Sequence, residues 1–268
     1  MTTVLHHRCD GPAGAPPLLL GPSLGTSLAV WDAQAPALAE RHRVVRWDLP
    51  GHGGTPAGIL RARGTDPAAT VAGLAGLVIT LADSLGIDRF AYAGVSLGGA
   101  VGAWLAVHHP ERVTTLAMVC SSARFGDPEN WHERAALVRE QGTGALAPGA
   151  PGRWFTPAFA HTPAAAAMVG DLLATSPAGY ADCCDALAGF DLRADLRRIT
   201  APTLVVAGRQ DPATPLDHAR ELAGGIRGAV LVEIPAASHL APVEQPGPVL
   251  SALTGHLAGH PTHCQEGH

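Results

Sequence analysis

The chain contains no lysine; all eighteen of its basic residues are arginine. This excludes Schiff-base chemistry and a lysine general base, because both need an amine that can shed its charge. A basic excess is also absent. The formal charge is −5 at pH 7, which leaves no electrostatic footprint for nucleic acid and requires a local cation for any anionic ligand. The five cysteines (Cys9, Cys120, Cys183, Cys184 and Cys264) are odd in number and show no paired metal spacing. Cys183 and Cys184 are adjacent and would point in different directions from a helix, so the set reads as packing residues in a reducing compartment. No basic segment followed by an apolar core opens the chain, and the most apolar stretch, Val71–Leu81, is shorter than the ~20 residues that span a bilayer. The expectation is a soluble cytoplasmic protein with no membrane partner.

What is present fits a compact globule. The chain has 268 residues, 47% of them hydrophobic and 15% charged, which suits one α/β domain carrying an insertion. Short β-type runs recur at Leu18–Leu20, Val44–Trp47, Phe90–Val95, Val113–Cys120, Thr203–Ala207 and Val230–Ile234, with helical stretches between most of them. That alternation predicts a mostly parallel sheet with helices on both faces. Thr3–Arg8, followed by Asp10 and Gly11, is expected to add an antiparallel edge strand. The rhythm breaks between Ala123 and Arg198, where no strand is evident. This stretch is expected to be a helical cap, inserted between the sixth and seventh strands and lying over the sheet's C-terminal edge. The predicted division is an α/β core over 1–122 and 199–257, a cap over 123–198 and a flexible tail over 258–268. His256, His260, His263, Cys264 and His268 at the end could suggest a metal, but no carboxylate or rigid frame accompanies them, so no metal site is expected.

One motif carries the chemistry. Gly94-Val95-Ser96-Leu97-Gly98 ends the Phe90 run and leads into a helix to about His108, so that a sharp strand-to-helix turn would push Ser96 out. Upstream, Asp66-Pro67 is expected to start a helix and Gly86 to stop it. A serine hydroxyl needs a base, and the base needs an orienting group, each on a loop after a later strand. Gly208-Arg209-Gln210-Asp211 follows one strand and Pro235-Ala236-Ala237-Ser238-His239 the next, making Asp211 the acid and His239 the base. Asp217 would lie in the following helix and Asp127 would open the cap. His52, in Pro50-Gly51-His52-Gly53, is expected to shape a turn, and His109, before Pro110, to close its helix. An oxyanion hole would use the Leu97 N–H and a donor from Gly21-Pro22-Ser23-Leu24-Gly25-Thr26. Pro22 has no N–H, so Ser23, or less readily Leu24, supplies it.

Taken together, these residues resemble the α/β-hydrolase superfamily. Within it the chain is similar to 3-oxoadipate enol-lactonases of the protocatechuate (β-ketoadipate) route of aromatic catabolism. The matching segments are Ser23-Leu24-Gly25-Thr26 with Trp31-Asp32, Trp47–Gly53, Gly94–Gly99, Arg153-Trp154-Phe155-Thr156-Pro157, Gly179-Tyr180 with Cys183-Cys184, and Asp191-Leu192-Arg193. The resemblance implies a small enol-lactone substrate bearing a carboxylate, opened through a serine acyl-enzyme with no metal or organic cofactor. A cap arginine would pair with that carboxylate, Arg134 beside Trp131 first and Arg153 beside Trp154 second, with both tryptophans lining the pocket. The same three residues would also serve a general carboxylesterase, a C–C bond hydrolase or a cofactor-free perhydrolase, and less readily a ligand-binding receptor of hydrolase-like fold whose turnover is incidental.

Overall fold

A computed structural model describes residues 5–61 and 69–260. Its centre is a seven-stranded sheet in the order β1-β3-β2-β4-β5-β6-β7. The strands are β1 (His7–Asp10), β2 (Pro17–Gly21), β3 (Arg43–Trp47), β4 (Phe90–Val95), β5 (Val113–Val119), β6 (Thr203–Gly208) and β7 (Val230–Ile234). β1 runs antiparallel to β3 and every other pairing is parallel. The central strand β4 reads Phe-Ala-Tyr-Ala-Gly-Val and is buried at all six positions, as expected of a strand covered on both faces. β7, at the edge, is only half-buried, and Glu233 there pairs with Arg209 at 3.0 Å. A charge on an edge strand blocks pairing with a second sheet.

The helices are α1 (Ala35–Ala39), α2 (Val71–Ser84), α3 (Leu97–His108), α4 (Pro128–Gln141), α5 (Ala150–Trp154), α6 (Pro163–Ala174), α7 (Pro177–Ala188), α8 (Leu216–Gly225), α9 (Ala241–Glu244) and α10 (Pro246–Gly259). α3 packs on β4 and β5, α8 on β6 and β7, and α10 on β6 and β7, while α4 and α7 pack on each other. α4 to α7 all lie between β5 and β6 in the chain, so the insertion interrupts the sheet after its fifth strand and not after its sixth, as expected from sequence. The antiparallel strand β1 begins at His7, later than the expected span, and its register on β3 is held where the Asp10 carboxylate takes the Arg46 guanidinium at 2.7 Å. Thr3 and the Asp66-Pro67 pair lie outside the described residues. α2 is instead capped by Thr70, whose hydroxyl accepts the Gly73 N–H. Gly86, with φ +67°, closes that helix as expected. The chain over 258–259 is helical, since α10 runs to Gly259, and His256 is tied at 2.6 Å to the Thr115 hydroxyl. His260 caps the end of α10, while His263, Cys264 and His268 lie outside the described residues.

This topology sets the position of the site. The chain leaves β3 on one side of β2 and enters β4 on the other, so the direction of winding reverses between β2 and β4. At such a point the loops at the strands' carboxyl ends diverge and leave a crevice. β2 and β4 end in register, Gly21 opposite Gly94, so the Ser23 loop and Ser96 emerge side by side. β6 and β7 end with Gly208 opposite Ile234, which places the Asp211 and His239 loops together. The crowding at the first pair requires glycine. A Cβ on Gly94 would lie 2.2 Å from the Gly98 carbonyl carbon, and one on Gly98 would lie 2.6 Å from the carbonyl of Gly21. Gly94→Ala is therefore expected to destabilise the fold by about 3 kcal/mol or more, read as a lowered urea midpoint or lost soluble protein. An unchanged midpoint would mean that the two backbones can separate freely.

Candidate active site

Ser96 joins β4 to α3 with φ +54° and ψ −115°, a conformation that L side chains avoid. Among the described residues, the other non-glycine positions with positive φ are Cys120, just past β5, and Ala236, in the His239 loop. All three follow carboxyl ends of the sheet. Strain of this kind persists only where surrounding bonds over-determine it, and those bonds are present. The Ser96 N–H donates to Val119 O at 2.9 Å, while the Ser96 carbonyl accepts from the Ala100 N–H at 3.0 Å and the Ser121 hydroxyl at 2.7 Å. The Gly98 N–H donates to Pro22 O at 3.0 Å and so clamps the Ser23 loop onto the first turn of α3.

His239 is almost fully buried, and its Nδ1 lies 2.8 Å from Asp211 Oδ2. Asp211 has no exposed side-chain surface. It also accepts from the Ala213 N–H at 2.7 Å, the Thr214 N–H at 2.9 Å and the Thr214 hydroxyl at 2.6 Å. Burial alone would favour the neutral acid. The facing imidazole and the Thr214 donors outweigh it and hold the carboxyl below its usual range. A carboxylate kept ionised fixes Nδ1 as the protonated nitrogen and leaves Nε2 with its lone pair free to accept a proton. Thr214 was not anticipated from sequence, although the Asp-x-x-Thr spacing of a side-chain-closed turn was there to be read.

Ser96 and His239 line one cavity of about 300 Å³ together with Ser23, Trp131, Arg134, Arg153, Trp154 and Tyr180. Phe125, Leu146 and Leu172 add apolar wall, and Asp127 stands at its exposed rim, where its carboxylate accepts the Glu129 N–H at 3.1 Å and caps α4. Leu97 is buried directly behind Ser96 as the first residue of α3, where backbone N–H groups carry the helix's partial positive charge. Asp217 is exposed on α8 and takes no part. His109 caps the end of α3, as expected.

The two arginines are held differently. The Arg134 guanidinium lies over the Trp131 ring, 4.8 Å from its centroid. Arg153 is partly desolvated and faces Arg134, and both effects lower its pKa. Arg61 and Arg139 share Asp182 and Asp185, but neither Arg134 nor Arg153 forms an ion pair among the described residues. The cavity thus presents two cations, neither of them ion-paired with a carboxylate among the described residues, although Asp127 stands at its rim.

His52 does more than shape its turn. It is completely buried; Nδ1 lies 3.0 Å from Pro50 O, and Nε2 accepts the Gly25 N–H at 3.1 Å. Both bonds form together only in the neutral ring with its proton on Nδ1. The ring therefore anchors the far end of the Ser23 loop, and burial lowers its pKa to about 4. Asp48 holds the same loop through the Leu28 N–H at 2.6 Å, and Asp171 of α6 holds it through the N–H and hydroxyl of Ser27 at 2.9 and 2.6 Å.

The chain matches the model of the α/β-hydrolase fold family over residues 16–246. It is 40% identical to 3-oxoadipate enol-lactonase 2 of Acinetobacter baylyi, over 90% of this chain and 88% of that protein. It is 31% identical to 3-oxoadipate enol-lactonase 1 of the same organism, over 92% and 91%. The crystal structure of the enol-lactonase from Burkholderia xenovorans superposes with a TM-score of 0.88 at 36% identity, covering 95% of this chain and 96% of that one.

A depressed histidine pKa predicts a pH dependence of stability. Above the unfolded value of 6.5, His52 is neutral in both states and contributes no slope. As pH falls toward about 4, the unfolded chain takes a proton that the folded one refuses, and stability declines. Urea titrations should show about 3 kcal/mol of this loss between pH 6.5 and 4, and His52→Ala should remove it. An unaltered slope in that variant would place the titrating group elsewhere. Fold, cavity and relatives together lead to one assignment: this chain belongs to the α/β-hydrolase family and is an ester-bond hydrolase within it.

Proposed function

We propose that the protein hydrolyses a small enol-lactone carrying a carboxylate, 3-oxoadipate enol-lactone, to 3-oxoadipate. The observation that carries this reading is the pair of unneutralised cations, Arg134 and Arg153, facing Ser96 and His239 across one cavity. A carboxylate loses its hydration on entering such a space, and a guanidinium fork replaces the lost bonds. The enol-lactonase relatives support the same substrate class.

In this reading Ser96 Oγ attacks the lactone carbonyl as His239 Nε2 takes its proton, with Asp211 stabilising the imidazolium. The oxyanion is received by the N–H groups of Leu97 and Ser23. The ring C–O bond then breaks and the enol oxygen leaves with the proton from His239. Conversion of the enol to a ketone opposes re-closure. Water, deprotonated by His239, attacks the acyl-serine and releases the second carboxylate of the product. Every step is carried by protein groups and water. Arg134, stacked on Trp131, is the first partner of the substrate carboxylate and Arg153 the second, with Trp131 and Trp154 as apolar walls. We also assign residues 123–198 as the cap that closes this cavity over the core; α4 supplies Arg134, and α5 supplies Arg153 and Trp154.

Ser96→Ala is expected to lower enol-lactone turnover by ~10³-fold or more without altering the fold. Loss of the enol chromophore measures it, and wild-type rates in the variant would remove Ser96 from the reaction. Arg134→Ala should reduce kcat/KM for the carboxylated lactone by ~10-fold or more and leave a neutral aryl ester far less affected, the scale of a lost charged hydrogen bond. Equal losses on both substrates would make Arg134 a structural residue.

A further inference from the structure

Glu244 is a carboxylate that the mechanism above does not use, although it is almost wholly buried at the end of α9. Its Oε2 accepts the Ser238 N–H at 2.8 Å. Its Oε1 accepts both the N–H of Thr156, at 3.1 Å, and the Thr156 hydroxyl. Ser238 immediately precedes His239. Thr156 follows the α5 segment that presents Arg153 and Trp154 to the cavity. On the other side of His239, the Leu240 N–H donates to Trp154 O at 3.0 Å. The peptide N–H groups on either side of His239 are thus both fastened to residues 154–156, one directly and one through Glu244.

This arrangement needs a carboxylate. The Ser238 and Thr156 N–H groups are fixed donors that approach from two chain segments 82 residues apart in number, and each requires an oxygen. A glutamine of the same shape offers one oxygen, and its NH₂ would face a donor on one side or the other. The same strand end shows how closely the His239 loop is set. A Cβ on Gly208 would lie 2.3 Å from Ser238 O, and the Gln210 N–H donates to Ala237 O at 2.9 Å. The loop is therefore seated on β6 from below and tied to the insertion from the side.

We infer that Glu244 is a positioning residue that couples the base to the substrate-recognition segment, so that His239 and the Arg153–Trp154 wall keep one geometry relative to the bound ester. The inference rests on the Ser96–His239 reading of the site. Glu244 touches neither Ser96 nor the cavity, and it acts through Ser238 on one side and Thr156 on the other. Loss of the Ser238 tie displaces the imidazole and slows chemistry on any ester. Loss of the Thr156 tie releases the cavity wall and weakens binding of the anionic substrate selectively.

The test is Glu244→Gln, assayed with the carboxylated enol-lactone and with p-nitrophenyl acetate, active sites being counted by a fluorophosphonate that labels the nucleophilic serine. The expected result is a fall in kcat per labelled site of ~10-fold or more on both substrates, with KM raised ~3-fold or more for the carboxylated lactone only. A role confined to stability predicts something else: a lower melting temperature with kcat and KM per labelled site unchanged. That result would overturn the inference. Should the glutamine variant not fold, Thr156→Val removes the hydroxyl donor alone, and an unchanged KM for the carboxylated lactone would overturn it equally. If the wild-type protein neither labels with the fluorophosphonate nor cleaves either ester, it is the Ser96–His239 reading that fails, and the two failures are distinguishable.

Discussion

The approach of β4 to the start of α3 is the constraint on which the site depends. Residue 96 can hold a serine at φ +54° only because Gly94, Gly98 and Gly21 let three backbone segments nearly touch. Their closeness leaves the hydroxyl at the cavity surface and brings the Ser23 loop alongside. The Pro22–Gly98 hydrogen bond then makes the two proposed oxyanion donors parts of one rigid unit. The stored strain is offset by the bonds from Val119, Ala100 and Ser121, which come from β5, α3 and the turn after β5. The geometry of Ser96 is thus a property of the whole centre of the sheet.

Charge is distributed just as unevenly. The core side of the cavity buries one carboxylate, Asp211, satisfied by His239, Ala213 and Thr214. The opposite wall carries Arg134 and Arg153, which form no ion pair among the described residues. In a molecule with a net charge of −5, this is a local inversion of sign, the complement of the anionic ester proposed above. The two halves are joined at specific places: Ser27 to Asp171, Leu240 to Trp154, and Ser238 through Glu244 to Thr156. Recognition and chemistry therefore share one frame.

Much of this was legible in the chain. The serine turn announced itself through glycines at fixed offsets, and Asp211 and His239 through their places after apolar β runs, because local backbone demands leave local residue signatures. Less legible were boundaries and partners. The register of β1 is held by Arg46 meeting Asp10, and the start of α2 is set by Thr70 reaching Gly73. The insertion follows the fifth of the seven strands and not the sixth, although the break in strand rhythm falls where the inserted helices lie. His52 read as a turn residue, and nothing near it in sequence pointed to Gly25. Glu244 and Thr156, 88 positions apart, left no mark that periodicity or spacing could detect.

The sequence by itself determined the class of fold, the strand order along the chain and which three side chains stand at strand ends, since each follows from short-range alternation and turn chemistry. Only the tertiary structure decided that Arg134 and Arg153 share a cavity with Ser96 without an ion-paired acid, that a buried imidazole at 52 holds the Ser23 loop, and that Glu244 ties the His239 loop to residues 154–156. Those facts concern distances between segments remote in the chain. Such distances are set by how the strands neighbour one another and how the inserted helices pack on them, and no stretch of residues encodes them alone.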